Sequence, residues 1–292
     1  MSEFHQDQVP GLYHRYIGDI LVTVVSDGYL DVPLDAIRNF PVERARDILA
    51  SDCRPLTPRC SVNAFVVRSG NRVALIDTGS GNTMGPNLGW LPRNLQRIGI
   101  DPARIDTVLL THLHPDHSNG LTTDAGEPVF PACELVLHEE EIVHWYDDAR
   151  MARVPERQQV RYFQGARIQF EPYRKRARLF RSGEVFPGIT AVPIPGHTPG
   201  HTAYLISSGT ESLLIWGDVV HFADLQIAHP EICMEFDSDQ AAAAATRRRV
   251  FDMVATDRQL VAGMHLHFPA FSYVVREGGG YRLLPESWRF VT

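Results

Sequence analysis

Thr111-His112-Leu113-His114-Pro115-Asp116-His117 places the strongest constraint on how this chain can fold. Three imidazoles and a carboxylate fall within six residues, although 13 histidines in 292 residues amount to about one in 22. The group follows Asp106-Thr107-Val108-Leu109-Leu110, a short apolar run that reads as a buried strand ending at Thr111. On an extended strand end, His112 and His114 point to the same side. Pro115 forces a turn, and Asp116 and His117 can then face the same cavity from a helix start. Imidazole nitrogen and carboxylate oxygen are donors that suit zinc and similar divalent cations.

Further candidates recur along the chain. Pro195-Gly196-His197-Thr198-Pro199-Gly200-His201 holds two histidines in a segment whose glycines and prolines let the backbone turn sharply. Asp218 follows the apolar run Leu213 to Trp216, where an acid serves either as a ligand or as a turn former. His265 and His267 follow the strand-like Gln259 to Ala262. Asp77 ends the run Val73 to Ile76, placed either to accept the second N–H of a ligating histidine or to form a strand-end turn.

The HxHxDH pattern after a short apolar strand resembles the metallo-β-lactamase superfamily, as does the upstream Leu75-Ile76-Asp77-Thr78-Gly79, and the later segments fit in order from about residue 20 to 270. The resemblance implies an α+β fold, a four-layer αββα sandwich of two mixed sheets flanked by helices, with a metal site at one edge. It implies two divalent cations, zinc first, with manganese, iron or cobalt as alternatives. One would sit on His112, His114 and His197, the other on Asp116, His117 and His265, with Asp218 and a hydroxide bridging them. Asp116 and Asp218 would thus be catalytic as well as ligating. His201 would support the site without ligating, as would Asp77. His267 stands where related sequences carry proline, which leaves it an alternative to His265. His221, three residues after Asp218, could hydrogen-bond substrate as a catalytic group or form a polar part of the pocket wall.

Segments such as Val22 to Gly28, Trp216 to His221, Glu235 to Asp239 and Val261 to Leu266 resemble the methyl parathion hydrolase-like branch, which includes lactonase, arylesterase and organophosphate-hydrolase activities. The implied substrate is a small lactone or ester, with aryl esters and phosphotriesters as side activities. Trp145, Tyr146, Phe163 and Phe222 could line an apolar pocket or belong to the core. A glyoxalase II-type thioesterase is the alternative; the 27 residues after His265 are short for its C-terminal helical segment. A non-hydrolytic metal-binding or redox member of the fold is a third reading, disfavoured because no ligand position is lost.

A net charge of −7 argues against a nucleic-acid surface, which needs a basic patch. No run approaches the roughly 18 apolar residues of a membrane helix, and Met1 to Pro10 lacks a signal-peptide pattern, which makes cytoplasm the default. Four scattered cysteines without a CxxC read as reduced thiols, with nothing to support a Cys53–Cys60 link. The whole chain, 1–292, reads as one domain with a helical and loop cover at about 138–181. Leu91, Leu95 and Ile98 predict a helix, and Asp237-Ser238-Asp239 offers cap oxygens for another over 240–255. Val9, Leu12 and Tyr13 could serve a homodimer.

Overall fold

The strand Arg59–Ser69 shows how the layers arise. Its residues alternate in direction, so Phe65 and Val67 join one core while Ala64 and Val66 join another. Ala74 and Ile76 against Leu75, and Leu109 against Val108, repeat the alternation on neighbouring strands. A sheet that is apolar on both faces must be covered on both sides. The computed structural model, which describes residues 11–291, shows how.

Two seven-stranded mixed sheets pack together. The first runs, in spatial order, through Leu12–Ile17, Ile20–Asp31, Arg59–Ser69, Arg72–Ile76, Thr107–Leu109, Glu134–His138 and Ala177–Phe180. The second runs through Gly280–Pro285, Ser272–Glu277, Leu260–Ala262, Glu211–Ile215, Thr202–Ser208, Ile189–Pro193 and Gly183–Phe186. The inner core gathers Phe65, Ile76 and Leu109 from the first sheet with Tyr204, Ile206 and Ile215 from the second. Helix Gln240–Asp257 lays Val250, Phe251 and Val254 against the same cluster. Its cap is Asp239, whose carboxylate accepts the Ala242 N–H at 2.9 Å, and it ends two residues beyond the predicted stretch.

The outer face of the first sheet is covered by helix Leu91–Arg97 and by the helical turns between Glu139 and Arg176, which bury Trp145, Phe163 and Phe170. Trp145 and Phe163 are therefore core residues. Ala177–Phe180, inside the predicted cover, is instead the edge strand of that sheet. Leu12 and Tyr13 are half-buried in a strand paired with Ile20–Asp31, each packed against a core; Val9 lies outside the described residues. All four cysteines are free. Among the described residues no helix is long and apolar enough to cross a membrane.

Candidate metal centre

Five loops bring the candidate ligands together, each leaving the end of a strand. The histidine-rich motif follows Thr107–Leu109 and starts the short helix Pro115–Ser118. Asp77 follows Arg72–Ile76, His197 follows Ile189–Pro193, Asp218 follows Glu211–Ile215, and His265 follows Leu260–Ala262. Cross-sheet hydrogen bonds fix the seam. Thr202 N–H reaches Thr111 O at 3.0 Å, Tyr204 Oη donates to Leu110 O at 2.6 Å, and buried Asn63 donates Nδ2 to Met264 O and Leu266 O at 3.0 and 2.9 Å.

Ligand atoms lie within 4.8 Å of one another in the two sets His112, His114 and His197, and Asp116, His117 and His265, and Asp218 makes further such groups with His112 and His117 and with His197 and His221. Asp218 Oδ2 lies between the two sets. It is 3.7 Å from His112 Nε2 and 3.3 Å from His197 Nε2 on one side, and 3.2 Å from both His117 Nε2 and His265 Nε2 on the other. Ring nitrogens of His114 and His112 approach His197 Nε2 to 2.9 and 3.1 Å. Three imidazoles aimed at one point cannot all satisfy one another. His117 Nε2, Asp218 Oδ1 and His221 Nδ1 are buried and have no hydrogen-bond partner among the described residues. Orphaned buried donor atoms demand an explanation, and a nitrogen–oxygen donor set converging in this way fits divalent cations.

The electrostatics point the same way. Burial and facing histidines hold His112 and His114 well below the usual imidazole range, so both are neutral donors. Burial alone would raise the Asp218 carboxyl, but His117, His265 and His112 pull it well below the usual carboxylate range. His201 is pushed down to about 3, chiefly by burial, and its Nε2 accepts the Asp218 N–H at 2.9 Å. It supports the central carboxylate from behind. Gly217, at φ 57°, makes this approach feasible, because a Cβ there would run into the His201 ring.

Two further ring nitrogens, His117 Nδ1 and His265 Nδ1, are held from outside the cluster. Asp77 Oδ2 stands 2.7 Å from His117 Nδ1, and the same carboxylate accepts Thr111 N–H and Oγ1–H at 2.8 and 2.7 Å. Its backbone is left-handed, with φ 60°, which turns the side chain back beneath the motif. His265 Nδ1 faces Ser61 O at 2.8 Å. Such contacts fix tautomer and orientation.

Three supporting residues escape a reading of the sequence. Asp237, one of the predicted cap acids, instead meets His197 Nδ1 at 2.8 Å and accepts Met234 N–H at 2.8 Å. Glu141 is fully buried and accepts from Leu113 N, Trp145 Nε1, Gly200 N and Thr198 Oγ1, tying the histidine motif to the His197 loop. Buried Arg247 donates to Val219 O, Pro230 O and Ile232 O at 2.6, 2.9 and 2.8 Å, and so clamps the turn after Asp218. The acidic run Glu139-Glu140-Glu141 and the run Asp237-Ser238-Asp239 do carry a signal of acids, but not of which acid turns inward.

A cavity of about 520 Å³ opens onto the cluster, with His114, Asp116, Asp218, His221 and His265 in its floor and Phe222 and Phe236 in its wall. His221 Nε2 is 3.1 Å from Asp218 Oδ2, its ring stacks on His265, and burial lowers it to about 4. Phe222 is the one of the four suggested aromatics that lines this cavity. Tyr146 packs instead against the outer core, and Tyr162 stands in the wall, its ring centroid 5.1 Å from that of His114. His267 lies apart, half-exposed and 3.0 Å from Asp224, on the edge of a different cavity.

A sequence model described as the metallo-beta-lactamase superfamily matches residues 57–265. The crystal structure of AbOPH, a hydrolase in the beta lactamase superfamily, is 31% identical with a TM-score of 0.91, covering 97% of this chain and 100% of that one. AidC, a dizinc quorum-quenching lactonase in complex with the product N-hexanoyl-L-homoserine, has the same TM-score of 0.91 and the same coverage, 97% and 100%, at 24% identity. YobT of Bacillus subtilis (strain 168), an uncharacterized protein, is 30% identical over 161 residues, 54% of this chain. That match spans 61% of the length of YobT.

Proposed function

The chain belongs to the metallo-β-lactamase superfamily, and from that premise we propose that it is a dinuclear metal-dependent hydrolase of lactone or ester bonds. The observation that carries this reading is the placement of Asp218 Oδ2 between two three-residue ligand sets. His112, His114 and His197 would hold one cation and Asp116, His117 and His265 the other, with Asp218 shared. Zinc leads among the candidate metals because the donors are nitrogen and oxygen, and AidC, which shares the fold, is a dizinc lactonase. When bound, two such cations acidify a water and polarise the carbonyl under attack.

The chain's own groups do the rest. Hydrolysis adds water across the acyl carbon–oxygen bond, so the leaving oxygen must gain a proton. Asp116, on the cavity floor, is the group placed to take a proton from the attacking water and pass it to that oxygen, with His221 beside it as a hydrogen-bonding group. Burial keeps His221 neutral near pH 7. Phe222 and Phe236 supply an apolar wall that excludes water from the ester's body. Aryl esters and phosphotriesters, with good leaving groups, are the expected side activities. Four free cysteines suit a reducing cytoplasm.

The test is metal analysis followed by a hydrolysis panel of lactones, aryl esters, phosphotriesters and thioesters. About two metals per chain and lactone or ester turnover abolished by a chelator are expected. Protein that binds no metal under supplemented conditions would sink the reading, and turnover of thioesters alone would replace its substrate class.

A further inference from the structure

Two arginines stand on the wall of the cavity that opens onto the ligand cluster. Arg157 lies in the helical turn Glu156–Gln158 and Arg161 in the π-helix Gln159–Gln164 that continues it. Four residues apart on one helical run, they share a face. Short π-helical stretches occur frequently at functional sites. Tyr162, next in sequence, packs its ring against His114, so the wall that carries both guanidiniums begins at the ligand set itself. The Arg161 guanidinium carbon lies 5.8 Å from the centroid of the Tyr162 ring.

Beside Asp116 and Asp218 of the cluster, the lining carries three acids, of which Asp35 has no ion-pair partner among the described residues and two are engaged. Asp31 is held by Arg59 at 2.9 Å and Glu235 by Arg38 at 2.6 Å. Arg157 and Arg161 are exposed, and among the described residues neither has an ion-pair partner. The outer lining therefore sets two unpaired guanidiniums against one unpaired carboxylate, Asp35. The protein as a whole carries −7, so these two guanidiniums stand against the overall charge. A guanidinium presents a planar fork that matches a carboxylate or phosphate.

We propose that this site selects esters or lactones bearing an oxyanion, such as a carboxylate, remote from the scissile bond, with Arg157 and Arg161 as the recognition pair. The inference rests on the hydrolase reading above. The scissile carbonyl sits over the His and Asp cluster, the apolar body lies along Phe222 and Phe236, and the anion reaches the arginine lip. The two guanidiniums set which esters bind and take no part in bond cleavage.

Matched esters test this on the full-length, metal-loaded protein. 4-Nitrophenyl butyrate and mono-4-nitrophenyl glutarate share a leaving group and differ in the remote carboxylate. The charged ester should be favoured in kcat/KM by about 10-fold or more, a ratio that narrows in about 0.5 M NaCl. The R157Q/R161Q double variant should lower that ratio about 10-fold or more, mainly through KM for the charged ester. A parent enzyme that prefers the neutral ester, or a double variant that loses both esters alike, overturns the proposal. If neither ester is cleaved, the hydrolase reading fails separately, and calorimetric titration with glutarate decides the anion site. Weaker binding to the double variant than to the parent upholds it; equal or absent binding overturns it.

Discussion

Asp237 Oδ1 lies 2.8 Å from Nδ1 of His197, which leaves the other nitrogen of that ring facing His112 and Asp218. One carboxylate thus fixes the direction of a ring that closes the first ligand set. Substituting Asp237→Ala removes that restraint and should weaken metal binding about 10–100-fold. Competition against a chromophoric chelator measures it, and unaltered affinity would deny Asp237 this role.

Glu141 satisfies four neutral donors with one buried carboxylate. Glu141→Gln puts an N–H₂ where an oxygen accepted, leaving at least one buried donor unmatched. The loss should be about 1–3 kcal/mol in chemical denaturation. A variant as stable as the parent would show that the His114 and His197 loops hold together without it.

These two acids also mark the limit of what the sequence reveals. His112, His114, Asp116 and His117 are legible because they crowd one short segment after an apolar strand. His197, Asp218 and His265 are legible because each ends such a strand in the order that the family resemblance supplies. Glu141 and Asp237 sit among other acids, chemically equal to neighbours that face water. Only the packing of the cover helices and the His197 loop chooses one from each group. The layers follow from alternating apolar residues in Arg59–Ser69 and its neighbours. The edge strand Leu12–Ile17 and the final hairpin, Ser272–Glu277 with Gly280–Pro285, are mostly half-exposed and leave a weaker pattern.

His144 offers a pH test away from the ligands. It is buried between Trp145 and Phe163, and burial, then Arg150, lowers it from 6.5 to about 4. Between those two values the unfolded chain binds the proton and the folded chain resists it, so stability falls as pH drops through that window. His144→Phe should flatten this part of the profile of melting temperature against pH. Parallel profiles for parent and variant would contradict the assignment.

Gly217 occupies a left-handed backbone position against the His201 ring. Gly217→Ala should cost about 1–3 kcal/mol in backbone strain and displacement of His201. It should also lower metal occupancy, because His201 receives the N–H of Asp218. Elemental analysis beside thermal unfolding checks both, and a variant with normal melting and full occupancy would show that the contact yields freely.

The π-helix Gln159–Gln164 has a consequence for how such an enzyme can diverge. A π turn accommodates one residue more than an α turn. Deleting a single residue there would relax the segment to an α-helix and rotate Arg161 and Tyr162 by about 100° relative to the preceding turn. Every strand, and every loop that carries a metal ligand, would keep its length. Substrate choice can therefore drift by one-codon insertions and deletions in the wall while the hydrolytic machinery stays fixed.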